Sequence, residues 1–325
     1  MPHFQRFLPS TKVSQWASVT VDAPPGAVYP KRAWGGLISQ YETGGTTYRV
    51  HTFRGSGTFE VSGGAIDVTY LIVGGGGGGG AGNPGAGGGA GGIRSGTTTL
   101  ASGTNYSIVV GKGGRSAWYT YGPYGNGDDA RKGEDGVDSS AFSVTADGGG
   151  GGAGFAGDYT GRPGGSGGGG AVANNTGADA NAGGAASGGG TGNAGGTATL
   201  AAHSGWEYAS AGGGGAGAAG GNAHGGTGGD SNTGADGGAG ASGIGITSAT
   251  AIYAGGGAGS DYPYGDQNYG GSSIGGMGTI TSNGPGFAGV PNTGSGSGGG
   301  HYSAERDGTL GRAGSGIVVI RYEIA

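Results

Sequence analysis

Few residues in this chain sit at spacings that could do chemistry. G-x-G-x-x-G fits Gly74, Gly76 and Gly79, but a dinucleotide site needs a helix to open after the loop, and here the glycines simply continue. G-x-S-x-G is met around Ser166 by Gly164 and Gly168, without the strand–elbow–helix pattern that exposes a nucleophilic serine. The phosphate loop fails because Lys112 is followed by Gly113 rather than Ser or Thr. GGTGGDSN at 225–232 partly mimics a calcium-binding β-roll repeat, yet Asn232 stands at the apolar position and no second copy follows to stack on it. Asp128, Asp129, Glu134, Asp135 and Asp138 read as a solvated acidic turn, with Ser139 where an EF-hand needs its bidentate Glu. His3, His51, His203, His224 and His301 are far apart and lack ligand spacing. There is no Cys, so disulfides and thiolate sites are excluded. Nothing pairs a nucleophile with a base. The expectation is no enzyme, no catalytic residue, no metal and no cofactor.

What the chain has in abundance is glycine, 96 of 325 residues. The longest stretch is 73–92, VGGGGGGGAGNPGAGGGAGG, with later echoes at 148–157, 164–170, 183–196, 212–229, 234–245, 255–259 and 294–300. Ordering one residue costs roughly 1–2 kcal/mol, and glycine brings no side chain whose burial offsets it. Such runs are either a disordered tether or an ordered structure that only glycine permits. Collagen is excluded, since glycine does not recur strictly every third residue and Pro numbers only 11. Charge-driven disorder fits poorly with 16 Tyr, 4 Trp and a net charge of −5. The ordered candidate is a polyglycine II bundle, with three residues per turn and ~3.1 Å rise. Its N–H and C=O groups must all find partners on neighbouring segments. Alanine is expected only where a segment faces outward.

Strand signals bracket the glycine region. TTYRVHTF, GTFEV and AIDVTYLIV within 46–73 alternate or run apolar and are broken by Gly-Ser-Gly and Ser-Gly-Gly. Further strands are expected at 106–110, 142–146 and 317–324. A lone C-terminal strand needs a partner, and the sheet begun by 46–73 is the simplest one. The expected fold is mainly β and irregular: a small, β-rich, sandwich-like base bracketing a polyglycine II helix bundle, with almost no α-helix. Its divisions are an arm at 1–35, a base at 36–110, the bundle at 111–313 and a closing strand at 314–325.

Between the glycine runs lie two kinds of segment. One is aromatic: Trp118, Tyr119, Tyr121 and Tyr124; Tyr159; Trp206 and Tyr208; Tyr262, Tyr264 and Tyr269; and Tyr302. The other is small or β-branched, at 174–176, 197–200, 246–252 and 279–283. Their alternation suggests that the aromatic turns gather at one end of an antiparallel bundle. There they either form a recognition surface, rigid area with polar handles, or cap an end that has no apolar core. In the arm, Phe4, Phe7, Leu8 and Trp16 stand among prolines without periodicity. They either dock onto another protein or belong to a poorly ordered terminus. With 15 Lys+Arg against 20 Asp+Glu, no nucleic-acid partner is expected. MPHFQRFLPSTK lacks a signal-peptide core, and no apolar run approaches the ~20 residues of a membrane span.

YRVHTFRGSGTFEVSGGAIDVTYLIVGGGGGGG at 48–80, closed by GSGIVVIRYEI at 314–324, resembles the glycine-rich domain of bacteriophage tail-fibre and virion proteins. The plan is also similar to that of polyglycine II tail-tip adhesins. The resemblance implies a virion location, attachment to other virion proteins through 1–35, and binding of a bacterial surface protein or polysaccharide through the aromatic turns. A fibre trimer, a single tip subunit and a shell lattice all fit it. Without the resemblance, an ice-binding or matrix protein and a disordered tether also stand as readings.

Overall fold

In the computed structural model the described residues are 31–82, 84–117, 132–154, 159–172, 180–200, 208–225, 235–242, 251–262, 268–279, 284–301 and 311–324. They are almost wholly strands and extended segments, with one short 3₁₀ turn at Gly271–Ser273. The base contains β1 (Arg32–Trp34), β2 (Leu37–Thr43), β3 (Thr46–Phe53), β4 (Gly57–Ser62), β5 (Ile66–Val73), β6 (Ile93–Leu100) and β7 (Thr104–Ile108). A hairpin follows, β8 (Ser139–Ala141) and β9 (Val144–Ala146). Six short pieces lie along the glycine region: β10 (Ala180–Asn181), β11 (Ala198–Leu200), β12 (Tyr208–Ala209), β13 (Ala223–Gly225), β14 (Ala241–Ser242) and β15 (Ile252–Tyr253). Then come β16 (Asp261–Tyr262) and the last strand, β17 (Ile317–Glu323).

The closing strand does find the sheet begun by 46–73. It inserts between β3 and β5 in a five-stranded antiparallel sheet ordered β2-β3-β17-β5-β6. Its run of consecutive apolar residues follows from burial on both faces. Val318, Ile320 and Tyr322 point to one side, where they meet Phe59 and Val61 of the second sheet, β1-β4-β7. Ile317 and Val319 point to the other side, against Ala216, Tyr253 and Ala254 from the glycine region. At the end of the expected arm, Arg32–Trp34 pair with Ser62–Glu60. Strand β2 and strand β6 gave no apolar run to read; β2 is exposed along its whole length, and β6 is Thr-rich with outward-facing residues.

Two local features depart from the sequence pattern. Phe142 does not extend the strand at 144–146; Phe142 and Ser143 form the hairpin turn, with φ of 54° and 63°. Positive φ at both central residues suits the twist of a two-residue hairpin. The aromatic ring offsets the backbone cost by packing edge-on against Phe59, Tyr70 and Tyr106. At the crossing between the two sheets, Gly35 has φ +115° and a Cβ there would stand 2.1 Å from the Thr58 carbonyl oxygen, so only glycine fits.

The same crossing brings the Gly35 carbonyl to 2.7 Å from His51 Nδ1, so Nδ1 carries the proton and donates. His51 is fully buried between the sheets, stacked on Tyr322 and edge-on to Phe59, and its Nε2 has no partner. Burial pushes its pKa below the ordinary value, against the opposing pull of the Gly35 bond, and the Arg49 charge adds to the lowering. The unfolded chain takes up this proton near pH ~6.5 while the folded one stays neutral. Stability is therefore full above that pH and falls as the pH drops toward the folded value. His51→Phe is expected to flatten this acid-side slope in urea midpoints measured between about pH 7.5 and 5; an unchanged slope would assign it to other groups.

The glycine segments are held together by main-chain bonds that change neighbour at each residue. Gly74, Gly77 and Gly80 donate to Gly92, Gly89 and Ala86; Gly75 and Gly78 donate to Val137 and Glu134; Gly76 donates to Gly314. The return segment does the same. Ala86, Gly89 and Gly92 donate to Ala153, Gly150 and Asp147; Gly85, Gly88 and Gly91 donate to Gly300, Ser297 and Gly294; Gly87 and Ala90 donate to Ala211 and Gly214. Each neighbour thus returns every third residue. Alanine is not confined to outward positions, contrary to expectation. Ala86, Ala90, Ala153 and Ala211 are fully buried, and Ala86, Ala153 and Ala171 pack as a small apolar cluster of their own.

Candidate functional site: the far end of the glycine region

The bond ladder fixes two ends. Gly74, Gly92 and Asp147 lie in the layer next to the five-stranded sheet, and Gly80, Ala86, Ala153 and Gly300 lie in the layer farthest from it. Buried hydroxyls stitch the far layer. Ser297 Oγ accepts from Gly79 N–H at 2.8 Å and lies 2.8 Å from Ser116 Oγ. Ser260 Oγ accepts from Gly85 N–H at 3.0 Å, while Ser210 Oγ lies 2.6 Å from the Ser260 carbonyl oxygen and 2.7 Å from that of Gly85. These serines answer main-chain groups where the ladder runs out, which buried polar groups require.

The described residues that flank the aromatic segments lie in this layer. Before 118–131, Ala117 bonds Gly79; before 155–158, Ala153 bonds Gly169; after it, the Tyr159 carbonyl accepts from Ala171. Ala171 pairs with Ser210, across from 173–179 and 201–207. Ala235, which follows 226–234, accepts from Gly259; Ser260, which precedes 263–267, donates to Gly85. Thr279 before 280–283 donates to Gly299, and Gly311 after 302–310 accepts from Ser116. The segment 243–250 instead departs from the sheet end, where Ala254 donates to Thr293 and Ser242 pairs with Ile252. Turn composition and end do not alternate as expected: 174–176, 197–200 and 279–283 issue from the same end as the aromatic segments, because the sheet-end turns are short reversals such as 164–165 and 216–219.

Among the proposed contact residues, Trp118, Tyr119, Tyr121, Tyr124, Trp206, Tyr264 and Tyr302 lie outside the described residues, as do Phe4, Phe7, Leu8 and Trp16 of the arm. Tyr159 is half-buried at the far end. Tyr262 sits in β16, opposite Tyr208 in β12. Tyr208 is buried, 5% exposed. Tyr269 is 57% exposed; its N–H donates to Asp236 Oδ1 at 2.6 Å and its carbonyl accepts from Gly237, which fixes the backbone beneath an outward ring.

The chemical motifs gain no site. Ser166 is fully buried and its Oγ accepts from Asn193 N–H. Gly74, Gly76 and Gly79 are engaged in the ladder. Among the described residues no group of three or more His, Cys, Asp or Glu is placed to hold a metal, and no helix is long and apolar enough to cross a membrane. Sequence reading missed a row of cations, Lys112, Arg115 and Arg312; the three-residue spacing of the first two was the available signal.

This architecture, two β-sheets closed by a terminal strand around a glycine ladder, defines the class of the protein. Residues 51–323 match the model of the family described as a glycine-rich domain. The chain belongs to that family, and its glycine-rich character is that of the whole domain rather than of a linker. No curated protein matches the chain.

Proposed function

We infer that the chain is a bacteriophage virion protein, a tail-fibre or tail-tip adhesin that binds the host surface through aromatic turns on a polyglycine II scaffold. The observation that carries this reading is that Ala117, Ala153, Ser210, Ser260 and Gly311, which flank the aromatic segments, all lie at one end of the glycine ladder. A return of each neighbour every third residue supports polyglycine II, whose threefold screw needs that cycle. A scaffold of buried main chain tolerates change in the turns while holding their roots, the usual arrangement of binding loops. The strand pair at 48–80 and 314–324 that resembles phage tail-fibre domains supplies the virion half of the proposal. Attachment to other virion proteins falls to 1–35, and oligomerisation as a trimer fits a fibre.

Binding energy in such surfaces concentrates in a few aromatic anchors. Replacing Trp118, Tyr121, Tyr262 and Tyr264 together with Ala is expected to abolish adsorption of the purified protein to host cells, with the unfolding midpoint retained. Undiminished adsorption by a folded variant would rule out the adhesin reading. The burial of Tyr208 favours a second reading, a structural virion protein such as a capsid decoration or fibre shaft, in which aromatics close the bundle end. Labelling on the particle separates them: the tail tip supports the adhesin, the shell the decoration.

A further inference from the structure

We propose that the flank of the glycine bundle carries a binding groove for an acidic glycan, independent of the virion reading. The groove, ≈ 740 Å³, runs between segments 112–115, 134–137, 288–291 and 312–315. Lys112, Arg115 and Arg312 line it and are exposed. Arg115 and Arg312 are directly opposite each other across an antiparallel bridge, and like charges so placed destabilise a pair of strands.

No ion pair among the described residues ties up either guanidinium. Among the described residues, no hydrogen bond or ion pair reaches the side chains of Lys112, Arg115 or Arg312. Of the two acids in the groove, Glu134 accepts through Oε2 from the Arg115 main-chain N–H at 3.3 Å, and Asp135 lies 3.6 Å from Arg162 in an ion pair. A chain with net charge −5 thus lines one groove with three exposed cations, of whose two acidic neighbours one, Asp135, is held by Arg162. The ladder explains their alignment. Neighbours return every third residue, so Lys112 and Arg115 share one side of their segment, roughly 9 Å apart at ~3.1 Å per residue. Two guanidinium forks and an ammonium in a row suit oxyanions spaced along a stiff chain, since the fork takes carboxylate or phosphate in a bidentate pair. Val137 and Pro291 supply apolar wall for sugar C–H faces. Among the described residues the lining holds no aromatic ring on which bases would stack.

The test is calorimetric titration of the full chain with oligogalacturonate, a glycerol-phosphate oligomer, a neutral oligosaccharide of equal length and a single-stranded oligonucleotide. Binding of either acidic oligomer, weakened by salt, with none of the neutral one, is the expected result; which acid binds tighter identifies the oxyanion. Arg115→Ser with Arg312→Ser is expected to weaken that binding roughly tenfold or more while the unliganded unfolding midpoint does not fall. Should that variant not fold, Arg312→Lys, which keeps the charge but loses the fork, is expected to weaken binding measurably. Failure of both acidic oligomers to bind, equal binding by a folded variant, or tighter binding of the oligonucleotide overturns the proposal.

Discussion

Gly77→Ala is expected to prevent the glycine region from folding. An added Cβ would stand 2.2 Å from the Gly150 carbonyl oxygen and 2.6 Å from its carbon, both main-chain atoms that cannot rotate away. Relief requires moving the segment at 147–153 outward. That segment accepts from Gly89 through Gly150 and from Ala86 through Ala153, so the displacement breaks bonds on several neighbours at once. Overpacking alone costs about 1–3 kcal/mol, and each main-chain bond left buried without a partner adds about 1–3 more. Against a typical stability of roughly 5–15 kcal/mol, one methyl group removes most or all of it. Gly188→Ala is the matched control: nothing lies within 4 Å of its Cβ position, and the change is expected within about 0.5 kcal/mol of wild type. Denaturant midpoints of the two variants decide. Equal midpoints would mean that the ladder is not close-packed.

Removing 317–325 is expected to leave no cooperatively folded protein, although it deletes only the end of the chain. β17 is the central strand of its sheet, and its loss exposes the bonding edges of β3 and β5 together. It also takes Val318 and Ile320 from one core and Ile317 and Val319 from the other. Each such side chain is worth about 1.5–3 kcal/mol when fully buried. The Tyr322 hydroxyl, which accepts from Ala33 N–H at 3.0 Å, goes with them and releases β1 from the sheet opposite. The milder Ile320→Ala is expected to cost about 2–5 kcal/mol, read as a shift of the urea midpoint at unchanged slope. A truncated chain that still unfolds cooperatively would show that the bundle stands without its base.

Much of the base was legible because its strands are short apolar runs broken by glycine turns. The segments at 46–53, 57–62, 66–73 and 317–323 could be read in this way, and even the pairing of the last with the first follows from a strand needing a partner. The edge strands β1 and β2 could not be read, since an edge buries little and carries no periodic signal. Phe142 departs from the strand pattern for a related reason: its residue type favours a strand, while tertiary packing against Phe59 and Tyr106 holds it in the turn.

In the glycine region the sequence by itself determined that main chain, not side chain, must form the interior. Runs such as 74–80 offer nothing else to bury. Which segment bonds which was beyond it, because glycine repeats are interchangeable and no side chain marks a register. That was decided in three dimensions, by the sheet that fixes where Val73 and Ile93 enter and leave, and by the buried serines and alanines that fit only their own layer. Only the assembled ladder brings the residues flanking the aromatic segments to one end, buries Tyr208 while exposing Tyr269, and sets Arg115 against Arg312. Side-chain chemistry could be inventoried from the chain, but proximity in a lattice of identical backbones is settled only when every N–H has found its carbonyl.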